Sequence, residues 1–148
     1  MRNRALFSAF VFASLFAGAI SMAEPASAAR IIVTVTGLKS AAGGVYVGLY
    51  ATPSKFLNGT QVDAMRKVRA STGPVTVVFD NLAPGTYAVG AYHDENNNDH
   101  LDTDFVGLPV EGYALSNGVR AVMSKPTFQQ AAFTIGAEDK PVALHIRY

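Results

Sequence analysis

One segment of the sequence concentrates side chains that could bind a metal ion. Residues 94–104 read DENNNDHLDTD and contain five carboxylates, three side-chain amides and no lysine or arginine. Carboxylate, amide and backbone carbonyl oxygens are the ligands that calcium takes in proteins, and calcium tolerates a flexible arrangement of them. Crowded carboxylates repel one another unless they face water or a cation. The segment therefore predicts a calcium site, and we expect any chemistry of the protein to lie there.

The spacing within this segment matches the first half of the calcium-loop pattern D-x-[DN]-x-[DN]-G. The predicted ligands at positions one, three, five, seven and nine are Asp94, Asn96, Asn98, the backbone carbonyl of His100, and Asp102. The surrounding sequence has no flanking helical pattern, so a helix–loop–helix calcium motif is excluded. The prediction is an isolated calcium-binding loop at the end of a strand.

Two positions depart from that pattern. Asp99 stands where glycine usually makes the sharp turn, and Phe105 stands where a bidentate glutamate is usual. Asp104 or Glu111 could fold back to supply the missing carboxylate. The alternative is a metal-free loop, in which the Asp and Asn side chains accept hydrogen bonds from their own backbone N–H groups.

The remaining polar residues give no catalytic motif. Ser116 and Ser124 lack the G-x-S-x-G context of a serine nucleophile. A zinc site would need three or four ligands, and by strand alternation His93 is expected to be packed and hydrogen-bonded. Paired carboxylates such as Asp102 and Asp104 occur in glycosidases but also in many sandwiches without catalysis. We therefore predict a protein that is not an enzyme. A glycan-binding or carbohydrate-active domain is left as an alternative, which would use aromatic side chains at Tyr46, Tyr50, Tyr92 and Tyr113.

The first 28 residues are typical of a secretory signal peptide. Arg2 and Arg4 precede an apolar run from Ala5 to Ile20, and Ala26-Ser27-Ala28 is a small-x-small cleavage pattern. Cleavage after Ala28 is predicted, with Ala23 as the alternative. This places the protein in the periplasm or outside the cell, as a single domain over residues 29–148 with no transmembrane segment.

Composition limits the partners further. Removing Arg2, Arg4 and Glu24 with the leader leaves equal numbers of basic and acidic residues, so neither nucleic acid nor an anionic membrane is an expected partner. The chain has no cysteine, which excludes disulfides, thiol catalysis and Cys-ligated zinc. The expected partner is an unidentified envelope or extracellular protein, or a glycan.

Alternation with a period of two predicts an all-β fold. About seven short strands separated by turn residues indicate a single antiparallel β-sandwich, immunoglobulin-like or prealbumin-like. Residues 65–70 are expected to form a basic edge strand, because lysine and arginine discourage pairing between sheet edges. The predicted inward rows are Ile31/Val33/Val35, Val45/Val47/Leu49, Val75/Val77/Phe79, Tyr87/Val89/Ala91, Phe133/Ile135 and Val142/Leu144/Ile146.

Residues 94–125 have little strand character and predict one long ordered loop. Loops of more than about 12–15 residues are uncommon unless they are functional or disordered. The segment contains apolar residues that are expected to pack and order it, namely Phe105, Leu108, Tyr113, Leu115 and Val122.

Several motifs together resemble a known family. Residues 82–89 (LAPGTYAV) followed by D-x-N-x-N resemble transthyretin-like and carboxypeptidase-regulatory-like modules. The chain is more specifically similar to the bacterial exported family catalogued as domain of unknown function 2141. The residues that carry this likeness are 94–102, Gly107-Leu108-Pro109-x-Glu111-Gly112-Tyr113, Ser116-Asn117 and Pro126-x-Phe128.

The resemblance implies one immunoglobulin-like or prealbumin-like sandwich in an envelope or secreted protein, with no implied activity. It also makes Glu111 the first candidate for an extra cation ligand or for a hydrogen bond that pins the loop. The resulting prediction is a non-catalytic binding or structural module with a calcium-binding loop, with a metal-free protein-interaction module as the alternative.

Overall fold

The computed structural model describes residues 28–59, 61–121 and 124–148. The predicted signal peptide lies outside the described residues except for Ala28. The strands are β1 (Ala29–Thr36), β2 (Gly44–Tyr50), β3 (Ala64–Arg69), β4 (Val75–Leu82), β5 (Gly85–Asp94), β6 (Tyr113–Leu115), β7 (Phe133–Ile135) and β8 (Lys140–His145). A short helix α1 covers Phe128–Ala131, and 3-10 turns cover Pro53–Lys55 and Ser116–Gly118.

The strands form two sheets, which confirms the predicted all-β sandwich. The smaller sheet has the order β4–β1–β8, and the larger has the order β3–β2–β5–β6, with β7 pairing to β5. The basic strand β3 lies at an edge, as predicted. The described residues form eight strands instead of about seven, because β6 lies within the segment expected to be a loop.

One strand pair departs from the antiparallel arrangement expected from sequence. β1 and β8 are parallel, with Ile31 opposite Lys140 and Thr36 opposite His145. Parallel neighbours need a long connection, and here nearly the whole domain lies between them. Local alternation is the same in both kinds of pairing, so it could not distinguish them.

The main core lies between the two sheets and follows the predicted inward rows. Ile31, Val33 and Val35 of β1 have no exposed surface, and neither have Val45 and Val47 of β2. Fully burying a side chain of this size contributes about 1.5–3 kcal/mol. This core fixes the position of β5, the strand whose end begins the acidic segment.

A second apolar cluster lies apart from the main core. It consists of Tyr50, Phe56, Ala88, Leu115, Phe128 and Ala131. The rings of Tyr50 and Phe56 meet edge to face, with centroids 5.2 Å apart, and Phe56 meets Phe128 in the same way at 5.9 Å. Buried Ser116 ties this region together, since its hydroxyl accepts from the Val89 N–H at 3.0 Å and donates to the Ala131 carbonyl at 2.6 Å. The long segment after β5 is therefore anchored at its far end.

Candidate functional site: the acidic loop and its apolar tip

The acidic loop, residues 94–111, begins where β5 ends in a buried aspartate. Asp94 has no exposed surface, and its two carboxylate oxygens accept the backbone N–H groups of Asn98 at 3.1 Å and Asp99 at 3.0 Å. Asn97 and Asp99 adopt left-handed backbone conformations, with φ of 58° and 65°. Asp99 thus makes the turn for which the calcium-loop pattern normally uses glycine. The Asp94 carboxylate holds this turn closed.

Two asparagines of the loop point at one aspartate. The amide nitrogens of Asn96 and Asn98 donate to the two carboxylate oxygens of Asp102, at 2.7 and 2.8 Å. Their amide oxygens accept the backbone N–H groups of Asn98 at 3.1 Å and His100 at 2.9 Å. Four of the predicted calcium ligands, Asp94 included, therefore lie within one hydrogen-bonded network.

Glu111 joins the two ends of this network. It is only 7 % exposed, and its carboxylate accepts the N–H of Glu95 at 3.0 Å and the N–H of Asp102 at 3.1 Å. The carbonyl of the next residue, Gly112, accepts the N–H of His93 at 2.8 Å, which places Glu111 beside the end of β5. Glu111 therefore pins the loop with two hydrogen bonds to a charged acceptor.

Asp104 organises a separate turn at the outer end of the loop. Its Oδ1 accepts the N–H groups of Val106 at 3.0 Å and Leu108 at 2.8 Å. Its backbone N–H donates to the Leu108 carbonyl at 2.8 Å, and its carbonyl accepts from Gly107 at 3.0 Å. Gly107 has φ of 84°, a conformation that costs glycine little. The turn is thus held by four hydrogen bonds.

This turn carries an exposed group of apolar side chains, which we call the apolar tip: Phe105, Val106, Leu108 and Val110. Phe105 is 99 % exposed, and the other three are 52–62 % exposed. The expectation that Phe105 and Leu108 pack to order the loop is wrong, because backbone and carboxylate hydrogen bonds supply that order instead. Tyr113 and Leu115 do pack against the protein, while Val122 lies outside the described residues.

The charges of the loop are unevenly compensated. Lys67 pairs with Asp99 at 2.6 Å and Lys39 with Glu95 at 2.8 Å. The hydrogen bond from Lys67 lowers the pKa of Asp99. Burial of Glu95 works against its charged form, but hydrogen bonds from Lys39 and Ser40 still lower its pKa. Within the described residues, no lysine or arginine pairs with the other four carboxylates, which are Asp94, Asp102, Asp104 and Glu111.

The predicted metal ligands do not all converge. Asp104 is engaged in its own turn, and both oxygens of Glu111 accept backbone N–H groups. In the part of the chain that the structure describes, no three histidine, aspartate or glutamate side chains are grouped so as to hold a metal ion. The predicted ligands that share one hydrogen-bonded network are Asp94, Asn96, Asn98 and Asp102, and within it the two asparagines present their NH2 groups to Asp102.

His93 is packed and hydrogen-bonded, as predicted. It has no exposed surface, its Nδ1 lies 2.5 Å from the Tyr148 hydroxyl, and its Nε2 lies 2.7 Å from the Ala42 carbonyl. Both ring nitrogens are therefore used within the protein.

Of the tyrosines considered for glycan stacking, three are partly exposed and Tyr50 is buried. Tyr46, Tyr92 and Tyr113 lie in register across β2, β5 and β6. The rings of Tyr46 and Tyr92 stack on each other with centroids 4.8 Å apart. Lys67 lies 4.8 Å from the centroid of Tyr46, and the Arg120 guanidinium lies 5.7 Å from that of Tyr113. The fourth tyrosine, Tyr50, belongs to the second apolar cluster. The row is thus built from cross-strand packing and cation–π contacts.

Among the described residues, no helix has the length and apolar character needed to span a membrane. Neither the curated proteins nor the solved structures contain a match to this chain. A family model matches residues 33–143, which cover both sheets and the whole acidic loop. The chain therefore belongs to the family described as "Uncharacterized protein conserved in bacteria (DUF2141)", as its motifs suggested.

Proposed function

We propose that the protein is an exported, non-catalytic interaction module that binds a partner through its apolar tip. The observation that carries this proposal is the combination of order and exposure at residues 104–110. Four hydrogen bonds hold the turn, yet Phe105 is 99 % exposed. Contiguous exposed apolar surface on a folded domain is typical of interaction sites.

The polar groups of the loop support a structural and not a chemical role. Asp94, Asp104 and Glu111 each accept backbone N–H groups, so their carboxylates are held by the fold. These side chains build the platform that positions the apolar tip. Export is proposed from the leader-like sequence of residues 1–28.

The test is site-specific photocrosslinking in bacteria that produce the full chain. A benzophenone amino acid at Leu108 is expected to give a discrete adduct. The matched control is the same probe at Val78, an exposed residue of β4 that is 37 % accessible, where no adduct is expected. Failure of the Leu108 probe to form any adduct, with the fold intact, would contradict the proposal.

Calcium binding is a second candidate role, in which the cation would reinforce the platform. It is favoured by the presence of Asp94, Asn96, Asn98 and Asp102 in one hydrogen-bonded network and by the left-handed turn at Asp99. A ligand that binds only the folded state at a hundred times its Kd stabilises it by about 2.7 kcal/mol.

The test of calcium binding is the melting temperature of residues 29–148 in chelator and then in millimolar calcium, with magnesium and zinc as controls. With calcium at a hundred times its Kd, we expect the melting temperature to rise by about 10 °C, and we expect no rise with magnesium or zinc. The rise should disappear when Asp94→Ala and Asp102→Ala are combined. No shift with calcium would identify the loop as a metal-free, hydrogen-bonded structure.

A further inference from the structure

We propose that the partner of the apolar tip is a protein with an apolar pocket whose rim carries lysine or arginine side chains. This inference rests on the proposed function and specifies the chemistry of the partner.

The shape of the tip suits a pocket. Its apolar side chains lie within six consecutive residues on a narrow turn, where residues 103 and 109 pair across its base. Phe105 extends from this turn almost completely exposed. Aromatic side chains that enter well-packed pockets dominate the affinity of many interfaces. A tip of this size gives an interface at the small end of the range, which is typical of transient complexes.

The charge around the tip defines the rim of that pocket. Residues 94–111 carry six carboxylates and no lysine or arginine. Asp102 and Asp104 lie at the base of the tip, since the Asp102 carbonyl accepts the Val110 N–H at 2.9 Å and Asp104 closes the turn. Both side chains are partly exposed, and their described partners are N–H groups without a formal charge. Interfaces match potentials of opposite sign, so these carboxylates fit a basic rim.

The same charges disfavour the other surfaces that could cover an apolar tip. An anionic bilayer would repel the carboxylates beside Phe105. A second copy of this chain offers Arg66, Lys67 and Arg69 of the basic strand β3. However, Lys67 is already paired with Asp99. The cavity beside Lys67 and Arg69 is lined mostly by polar surface, which does not suit Phe105. A basic-rimmed pocket on a different protein is therefore the occupant that fits best.

The experiment begins with the Leu108 photocrosslink, whose adduct is identified by mass spectrometry. The identified protein is then purified, and its binding to the full chain is measured at low and high salt. The variant Asp104→Asn removes one charge but keeps the Oδ1 that accepts both N–H groups. The matched control is Glu138→Gln, which removes an exposed charge in the turn between β7 and β8.

We expect Phe105→Ser to weaken binding by about tenfold or more. Asp104→Asn should weaken it by about threefold to tenfold at low salt, with the difference lost in about 1 M salt, because screening acts on charge pairs that remain accessible to solvent. Glu138→Gln should leave the affinity unchanged.

Three outcomes would overturn the inference. If a protein adduct forms but the affinity of that protein for the chain responds to neither salt nor Asp104→Asn, the proposed function stands and the basic rim is rejected. An adduct formed only with a second copy of the chain, with a matching dimer in solution, would reject a different protein. Binding of the full chain to phosphatidylethanolamine or phosphatidylglycerol vesicles, lost in Phe105→Ser and without a protein adduct, would assign the tip to a lipid surface.

Discussion

Replacing Glu111 should release the acidic loop from the sandwich. Glu111→Ala removes both acceptors from the N–H groups of Glu95 and Asp102, which lie in partly buried positions. A hydrogen bond to a charged group contributes about 1.5–3 kcal/mol. Because the loop is at the surface, water can replace part of the loss, so the low end of this range applies to each bond. We therefore expect Glu111→Ala to lower the free energy of unfolding by about 3 kcal/mol.

Glu111→Gln separates the hydrogen bonds from the charge. The glutamine keeps one acceptor oxygen and places an amide NH2 against the second N–H, so a loss of about 2 kcal/mol is expected. Both variants also reduce repulsion among the loop carboxylates. If that repulsion dominated, both would stabilise the protein instead. The matched control is Glu138→Ala, a change at an exposed turn that should stay within about 0.5 kcal/mol.

The assay combines denaturant unfolding with amide hydrogen exchange. For a domain of this size, a loss of 3 kcal/mol corresponds to a fall in melting temperature of about 10–15 °C. Exchange should accelerate at the amides of Glu95 and Asp102, while amides in the centre of β1 change only with global stability. A loss below about 1 kcal/mol with unchanged exchange at these two amides would refute the pinning role of Glu111.

Two further predictions concern the sandwich outside the loop. Burial of Asp63 opposes its charged form, but hydrogen bonds from Lys55 and two backbone N–H groups outweigh this and lower its pKa to about 2. Its contribution to the free energy of unfolding should therefore be complete above the unfolded pKa of about 4 and be lost as the pH falls toward 2. Asp63→Asn should make the free energy of unfolding less dependent on pH across that interval, as measured by acid unfolding. Gly43 has φ of 70°, and a Cβ there would lie 1.8 Å from the Asp94 carbonyl oxygen. Gly59 has φ of 60°, and apart from its chain neighbours no described residue has an atom within 4 Å of the corresponding position. Gly59→Ala should lower the free energy of unfolding by roughly 1–2 kcal/mol, the strain of a left-handed alanine, and Gly43→Ala should lower it by well over that amount. Both losses are measured by denaturant unfolding, and equal losses would contradict the close approach of Gly43 to Asp94.

The sandwich was predictable because burial on one face of a strand imposes a period of two. The rows in β1, β2, β4 and β5 are buried where alternation placed them. β6 escaped prediction because Tyr-Ala-Leu has no polar residue to show alternation, whereas β7, of the same length, reads Phe-Thr-Ile. The four residues of α1 are too few to show a helical period. The parallel pairing of β1 with β8 depends on the path of the whole chain, which local alternation does not record.

The acidic loop was predictable in composition but not in its interactions. Sequence spacing identified the residues that form the network, and it gave two outcomes for them, a cation or their own backbone N–H groups. The family resemblance made Glu111 a candidate for a cation ligand or for a hydrogen bond that pins the loop, and the structure shows such hydrogen bonds. Spacing alone could not show them, since they depend on where the chain returns to the sheet. The apolar tip was missed because apolar side chains are usually buried, so Phe105 and Leu108 were expected to pack. The only signal for an exposed turn was the D-x-x-G spacing of residues 104–107.

The parallel pairing of β1 with β8 has a consequence for how the chain acquires its structure. β1 is the middle strand of the smaller sheet, and its partner in β8 lies 109 residues away, where Arg30 also binds Asp139. Closing a loop of that length costs conformational entropy before any contact is gained, and folds dominated by such distant contacts form slowly. Until residues 140–145 arrive, β1 has one unpaired edge and the smaller sheet is incomplete. For the exported protein proposed above, the consequence is that the smaller sheet cannot be completed before the last strand of the chain is available.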